Sequence, residues 1–323
     1  MAAPKTLTAF EQAIWDSSAT QITNLTNNGS RNGWSQSDAT GLAINGGTVQ
    51  NNKLGVRLVN TAEVPTLIVG LTGGPIDISY DGYGSFVDQR TNTLQVLMRG
   101  CDFDGGLVPL SGYSVMNTDG FTNSSTTASD TFVRMSYCDF ANASDGGLDA
   151  HNLTNNYVDH CTFTNFYRVI RCWNGTQIIM ANTTIDLGDG AYFFWLYNTL
   201  SSVSVYNCTF IDGASTYTSA AAIPSGKLDL DNGAVRTQIV DLTEDPFLAD
   251  QFFVQARAIT VGDGALLADD VQALTEVSRP ALSDGTAALF GRFASLSTNT
   301  AQIEDAYKCA APIYAGFTAK RDV

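Results

Sequence analysis

The densest group of residues able to do chemistry lies between positions 145 and 171. It consists of Asp145, Asp149 and His151, followed by Arg168 and Arg171. Glycoside hydrolysis needs two carboxylates that face one glycosidic bond, and histidine is a common carrier of protons. We take these five residues as the candidate catalytic set. The alternative is that they are structural.

A second carboxylate pair, Asp102 and Asp139, occupies equivalent places in a repeat of the sequence. The two side chains would face outward together on adjacent coils, as glycosidase chemistry requires. Stacked carboxylates also occur as solvated polar ladders, so both interpretations stay open. His160 falls on a predicted bend of the same repeat, and we interpret it as a turn residue.

A third group could bind a glycan through ring stacking and hydrogen bonds. The candidates are Tyr113, Asn117, Asp119 and Phe121. They lie between Phe103 and Phe140, where the repeat holds about a dozen surplus residues, and insertions in solenoid proteins emerge as surface loops. We predict that this loop binds sugar rings. A solvated loop without a ligand is the alternative.

The elements that position these residues are indicated by an eight-residue pattern: apolar, x, apolar, x, turn residue, small, x, apolar. Its instances end at Val49, Ile76, Phe103, Phe140, Phe163, Ile185, Phe210 and Val235. The intervals between these residues are 27, 27, 37, 23, 22, 25 and 25. Such spacing is typical of the coils of a solenoid.

Each place in the pattern has a physical meaning, because side chains alternate along a strand. The fifth place predicts a sharp bend, and its residues are Gly46, Gly73, Gly100, Tyr137, His160, Asn182, Asn207 and Asn232. The sixth place predicts an inward column of Cys101, Cys138, Cys161, Thr183 and Cys208. The eighth predicts another of Phe103, Phe140, Phe163, Ile185 and Phe210. Parallel strands joined by crossovers are right-handed, so the pattern predicts an all-β, right-handed parallel β-helix of about eight coils.

The ends of the chain depart from the pattern. Thr8 and Glu11 form a capping box, which predicts a short helix that covers the first coil. Near the other end, short helices are predicted from Leu266 to Val277 and from Leu289 to Leu296. We therefore divide the chain into an N-terminal arm and cap (1–40), the β-helix (41–240) and a C-terminal segment (241–323). That last segment could cap, oligomerise or anchor the protein.

Charge and composition limit the functions. A formal net charge of −15 opposes binding to nucleic acid. The sequence contains no run of 18 apolar residues, so it predicts no membrane span. The start of the chain lacks the pattern of a secretory signal. Four of the six cysteines fall in one inward column, where stacked side chains project in parallel, so we predict buried thiols and folding in a reducing cytoplasm.

The stretch from Tyr157 to Phe163 resembles a Trp/Tyr-x-Asp-His-x-x-Phe segment of the pectate-lyase-like superfamily. The resemblance covers about 25 residues in detail and the coil architecture from about Gly41 to Val235. It implies carboxylates such as Asp145 and Asp149 around calcium, with Arg168 or Arg171 as the base. The superfamily's Arg-x-Pro-x-x-Arg motif is absent, and two aspartates fall short of the six to eight oxygens that calcium prefers. We predict no cofactor, with calcium as the alternative.

Two functions remain. The coil architecture, the cysteines and the missing export signal are similar to those of viral β-helix proteins. This favours a structural or adhesive protein of a bacteriophage virion surface, such as a decoration, spike or tailspike-like module, assembled in the host cytoplasm. Its expected partners are copies of itself, as in a trimer, other virion proteins and a surface polysaccharide. The alternative is a polysaccharide lyase or glycoside hydrolase that acts on an acidic polysaccharide.

Overall fold

A computed structural model of the chain describes residues 3–36, 41–58, 66–79, 83–90, 96–107, 109, 117–123, 133–151, 156–243 and 246. Its strands form two sheets, which we call sheet A and sheet B. The predicted helices between Leu266 and Leu296 lie outside the described residues.

Sheet A has sixteen strands. They are β1 (Thr20–Asn28), β3 (Leu42–Gln50), β5 (Thr66–Val69), β6 (Thr72–Gly73), β8 (Val96–Arg99), β9 (Asp102–Asp104), β11 (Val133–Ser136), β12 (Asp139–Ala141), β14 (Asn156–Asp159), β15 (Thr162–Thr164), β17 (Gln177–Ala181), β18 (Thr184–Asp186), β20 (Ser202–Tyr206), β21 (Thr209–Asp212), β22 (Ser215–Tyr217) and β24 (Ile239–Asp241). Sheet B has eight strands. They are β2 (Asn32–Gln36), β4 (Leu54–Leu58), β7 (Tyr83–Gln89), β10 (Asn117–Asn123), β13 (Gly146–His151), β16 (Arg168–Trp173), β19 (Tyr192–Tyr197) and β23 (Leu228–Asp231).

Each strand pairs in parallel with the equivalent strand of the next coil. Phe140, for example, lies opposite Phe103 on one side and Phe163 on the other. Among the described pairs, only β21 and β22 run antiparallel. Sheet B receives one strand from each of eight coils, and β24 begins the next coil. The predicted parallel β-helix of about eight coils is confirmed. Its first coil already begins at Thr20, inside the segment predicted as an arm.

The predicted bends of sheet A are left-handed backbone positions. His160, Asn182 and Asn207 have φ values of 49°, 50° and 48°. The side-chain amide of Asn207 donates a 2.8 Å hydrogen bond to Asn182, whose own amide donates to Asp159. Asparagine tolerates this backbone better than most residues because its short side chain bonds locally. The bends are therefore both permitted by the residue type and held by contacts between coils.

The two predicted inward columns form the centre of the core. The cysteine column and the phenylalanine column are both buried. Successive rings of the second column meet edge to face, with 5.8 Å between the centroids of Phe140 and Phe163. Edge-to-face contact suits the charge distribution of aromatic rings and adds to the gain from burial.

The instance of the pattern that ends at Ile76 has a different register from the predicted one. The strand pairs align Val69 with Arg99, so the bend of the third coil is Gly70, with φ 64°, and not Gly73. Gly73 then falls opposite Phe103 in the phenylalanine column. A Cβ on Gly73 would come within 2.3 Å of the ring of Phe86, so this ring, from β7 of sheet B, fills the missing place. Phe86 stacks on Phe103 with 5.3 Å between centroids.

The last instance of the pattern, which ends at Val235, does not lie in sheet A as predicted. Its strand, β23, pairs with β19 in sheet B. The strand that continues sheet A after β20 is β24, with Ile239 opposite Val203. The error arose because Leu228 and Leu230 alternate with polar residues, as they would in either sheet.

The N-terminal helix α1 (Ala9–Ser17) is confirmed, with both hydrogen bonds of the Thr8 capping box present. It packs against β3 and β5, so it covers the side of the second and third coils rather than only the first. Glu11 forms an ion pair with Arg99 on the fourth coil. In the part of the chain that the structure describes, no helix is long and apolar enough to cross a membrane.

The cysteines of the described residues are free thiols, as predicted for the inward column. They are Cys101, Cys138, Cys161, Cys172 and Cys208, and all are buried. Burial raises the pKa of Cys208 to about 11, so its thiol stays protonated at neutral pH. Cys309 lies outside the described residues.

Candidate functional site

The outer face of sheet B carries two columns of side chains over the fifth to eighth coils. The strands align Asp149, Arg171, Trp195 and Asp229 in one column. The second column holds His151, Trp173, Tyr197 and Asp231. The residues between them, such as Ala150 and Cys172, belong to the core. Because neighbouring coils lie about 4.8 Å apart, each column is a closely spaced row of functional groups.

Arg171 gathers the predicted aspartates. Its Nη1 atom donates to Asp145 Oδ2 and lies 3.2 Å from Asp149 Oδ2. Asp119 Oδ1 lies 3.9 Å from the same nitrogen. Only 1% of the Arg171 side chain is exposed. The guanidinium therefore joins two of the predicted aspartates and adds Asp119, which was predicted for a different site. With His151, described next, four of the five predicted catalytic residues lie together.

His151 and Trp173 complete the surroundings of Asp149. His151 Nε2 lies 3.2 Å from Asp149 Oδ2, and Trp173 Nε1 donates a 2.8 Å hydrogen bond to Asp149 Oδ1. The two rings stack, with 4.9 Å between centroids and 13° between planes. A carboxylate with a cation and two ring nitrogens around it is held firmly in one orientation.

The three carboxyl groups differ in their affinity for a proton. Burial, followed by the charges of Asp149 and Asp145, raises the pKa of Asp119 well above its ordinary value. Burial also raises the pKa of Asp145, against the opposing charge of Arg171. Burial acts on Asp149 too, but Arg171, His151 and Trp173 outweigh it and hold its pKa below the ordinary value. Asp149 is thus ionised where Asp145 retains a proton more readily.

The remaining predicted cation, Arg168, belongs to a separate contact on the same face. Its Nε atom donates a 2.8 Å hydrogen bond to Asp229 Oδ2. Its guanidinium carbon lies 5.3 Å from the centre of the Tyr167 ring and 5.4 Å from that of Trp195. The Arg168 side chain therefore ties the sixth coil to the eighth, while its backbone N–H donates a hydrogen bond to the Asp145 carbonyl oxygen.

Aromatic rings dominate the C-terminal half of this face. Trp173 meets Trp195 with 4.2 Å between centroids and lies 5.4 Å from Tyr197. Tyr167 and Tyr192 form an edge-to-face pair at 5.8 Å. Trp173, Tyr197, Tyr167 and Tyr192 are each partly exposed. We call these four residues, with Arg168 and Asp229, the aromatic strip.

Calcium does not fit the predicted carboxylates. The position between Asp145 and Asp149 is taken by the guanidinium of Arg171, which bonds to both. Calcium binding would place a second cation beside this one and would need six to eight oxygens. Within the described residues, no three His, Cys, Asp or Glu side chains are arranged to hold a metal ion.

Residues 77–227 match the family model described as a right handed beta helix region. The described chain is a right-handed parallel β-helix. A search of curated proteins finds no match to the chain. Right-handed β-helix regions are found in polysaccharide-acting enzymes and in adhesins.

The predicted glycan-binding loop of the right-handed β-helix is largely a strand. Asn117, Asp119 and Phe121 lie in β10 of sheet B, and Tyr113 lies outside the described residues. Phe121 belongs to the buried core and Asp119 is also buried, so neither can meet a sugar. The loop placement was wrong because every coil needs a sheet B strand, and this one falls within the interval interpreted as an insertion.

The alternative pair, Asp102 and Asp139, lies on the opposite sheet of the right-handed β-helix. The two residues are neighbours in register and line an open groove of about 390 Å³ with Asp104 and threonines. Burial, opposed by Lys5 and aided by Asp139, raises the pKa of Asp102. Both interpretations of this pair, as catalytic carboxylates and as a solvated polar ladder, fit this arrangement.

Sequence reasoning missed the aromatic strip of the right-handed β-helix, although a signal was present. Side chains that point into the core alternate with side chains that point outward in four segments: residues 148–151, 170–173, 194–197 and 228–231. They recur every 22, 24 and 34 residues. Aligning this second repeat beside the first would have placed Trp173 next to His151 and Trp195 next to Arg171.

Proposed function

We propose that this protein binds a polysaccharide along the outer face of sheet B, with the aromatic strip as its main contact. The observation that carries the proposal is the row of partly exposed rings on adjacent coils, bordered by the Arg168–Asp229 ion pair. Tyrosine and tryptophan combine a broad apolar face with a polar edge. Ligand sites join such surfaces to a few fixed polar groups, and sugar rings offer both kinds of contact.

The direct test is calorimetric titration with a panel of neutral and acidic oligosaccharides. We expect Trp173→Ala and Tyr197→Ala each to weaken binding of the active oligosaccharide about tenfold or more. Tyr137→Ala is the matched control, because Tyr137 is an exposed aromatic residue on the bends of sheet A. Circular dichroism and thermal unfolding would show that each variant is folded. Equal binding by the wild type and by the Trp173→Ala, Tyr197→Ala double variant would contradict the proposal.

The wider role that we propose is adhesive: a structural module of a virion surface that holds a glycan, as a homotrimer. The β-helix supports this because it is a rigid scaffold whose long outer face can follow a polymer. Light scattering of the purified full chain would test the trimer, and a monomer at micromolar concentration would contradict it. Antibody labelling of particles would test the location.

A second candidate function is cleavage of the bound glycan. The observation that favours it is the opposite displacement of the pKa values of Asp145 and Asp149, which lie on the same guanidinium. Such a split can assign an acid and an ionised partner. Asp145 would protonate the glycosidic oxygen as the bond to the leaving sugar breaks. Water would then add to the anomeric carbon and release a proton.

A lyase reaction with Arg171 as the base is less well supported. The Arg171 side chain is 1% exposed and its guanidinium already bonds to carboxylates. An assay for reducing ends, combined with ultraviolet absorbance for an unsaturated product, would separate the two reactions. Hydrolysis predicts new reducing ends without the absorbance, and their loss in Asp145→Asn. Retained activity in Asp145→Asn would contradict the assignment.

A further inference from the structure

A second group of charged residues lies on sheet B at the second and third coils, away from the aromatic strip. Arg57 of β4 is in register with Asp88 of β7, and its Nε atom lies 3.7 Å from Asp88 Oδ2. Arg90 Nε donates a 2.7 Å hydrogen bond to the same oxygen. Lys53 Nζ lies 5.0 Å from the centre of the Tyr83 ring. Among the described residues, three cations therefore surround one carboxylate in a protein whose net charge is −15.

The two arginines reach the surface although the carboxylate does not. The exposed fractions of the Arg57 and Arg90 side chains are 38% and 22%, whereas that of Asp88 is 0%. Asp88 Oδ1 and Arg57 Nε are buried atoms without a hydrogen-bond partner among the described residues. Of these two atoms, Arg57 Nε is a donor, and buried polar atoms are nearly always bonded, so this N–H group is suited to an added acceptor.

Within the described part of the chain, the cations of this group outnumber its carboxylates. Burial, followed by repulsion from Arg57, lowers the pKa of Arg90 to about 10. Burial raises the pKa of Asp88 to about 7, against the opposing charges of Arg57 and Lys53. A large fraction of the protein molecules therefore carry a protonated Asp88 near neutral pH. In those molecules Asp88 does not offset the charge of the neighbouring cations.

We propose that Arg57 and Arg90 form a binding site for an oxyanion, such as a sulfate or carboxylate group, and that Asp88 competes with this anion for the same cations. Guanidinium groups suit oxyanions because their N–H donors match two oxygens at once. The anion could be a free ion or a substituent of a larger molecule. The proposal does not depend on glycan binding at the aromatic strip.

Protonation of Asp88 controls the site. Among the residues that the structure describes, its charged and polar surroundings are Arg57 on β4, Lys53 before that strand, Tyr83 on β7, Arg90 after it, and Thr122 in register on β10. Below the pKa of Asp88 its carboxyl group is neutral and does not compete for the cations, so an anion binds well. Above it the ionised carboxylate repels the anion. By linkage, a bound anion raises the pKa of Asp88.

The test is titration of the full chain with sodium sulfate at about pH 5.5 and about pH 8.5, at constant ionic strength, followed by calorimetry. We expect binding at the lower pH to be about tenfold tighter or more, because a unit charge at contact distance is worth more than that. Asp88→Asn should bind sulfate at both pH values with little difference. Arg57→Gln should bind at least about tenfold more weakly at the lower pH.

Lys227→Gln is the control for the loss of one positive charge, because Lys227 pairs with Asp212 on the eighth coil. A sulfated disaccharide and its unsulfated form are titrated in parallel. Sulfate binding would support a site for free anions, and binding of the sulfated disaccharide alone would support a site for a saccharide substituent. The proposal is overturned if neither binds, or if Arg57→Gln and Lys227→Gln have the same effect.

Discussion

Single residues at the bends explain how the coils stay in register. Asn182 has a left-handed backbone, and its side-chain amide links Asp159 on the coil before it to Asn207 on the coil after it. The residue thus has two separable roles. One is to tolerate a backbone that other residues adopt at a cost, and the other is to bond across coils.

We predict that Asn182→Ala lowers the free energy of unfolding by about 1–3 kcal/mol, because it loses both roles. Asn182→Gly keeps the backbone freedom and loses only the amide bonds, so its effect should be smaller. Chemical denaturation followed by circular dichroism would measure both. An equal loss in the two variants would mean that the backbone conformation contributes nothing at this bend.

At the scale of strands, the phenylalanine column is the main contact between the walls of the β-helix. Phe163 is fully buried, meets Phe140 edge to face and lies against Gly147 of sheet B, where a Cβ would come within 2.6 Å of its ring. Its ring thus occupies space that a side chain from the opposite sheet would otherwise fill.

We predict that Phe163→Ala lowers the free energy of unfolding by about 3–5 kcal/mol, since it removes a buried ring and leaves a cavity. Tyr137→Ala is the control, because Tyr137 is 43% exposed and its loss opens no cavity. Guanidinium denaturation would measure both variants. A loss below about 1 kcal/mol for Phe163→Ala would show that the surrounding strands collapse into the space.

The strands also show where sequence reasoning succeeded and where it failed. The inward columns were predictable because Cys161 and Phe163 recur at a fixed distance from a bend, and a bend constrains residue type. Phe86 was not predictable, because it fills a gap opposite Gly73 from a different sheet, and only the packing of the two walls relates them. The assembly of Arg171 with Asp145 was predicted as a group of residue types. Its geometry depends on side chains from adjacent coils.

At the scale of the whole molecule, the N-terminal arm joins coils that are distant in sequence. Glu11 on α1 is 2% exposed and forms an ion pair with Arg99, with 2.7 Å between Glu11 Oε2 and Arg99 Nη2. In the arm before the helix, the backbone N–H of Lys5 donates a 2.8 Å hydrogen bond to Asn45 on the second coil. The arm therefore spans the second to fourth coils.

We predict that Glu11→Gln lowers the free energy of unfolding by about 1–3 kcal/mol, because it leaves Arg99 without its ionised partner and weakens the capping box. Asp16→Asn is the matched control on the same helix, since Asp16 is exposed. Thermal unfolding together with hydrogen exchange would measure the effect and its location. Faster exchange in the second to fourth coils is expected for Glu11→Gln alone.

The exchange of Gly73 and Phe86 across the core has an evolutionary consequence. Restoring the ring to its ordinary column by Gly73→Phe would place two rings in one space, and Phe86→Gly alone would leave that space empty. Each single change is harmful, whereas the pair together would rebuild the arrangement of the neighbouring coils. The two positions should therefore be inherited as a unit, and descendants of this chain should keep both residues or change both.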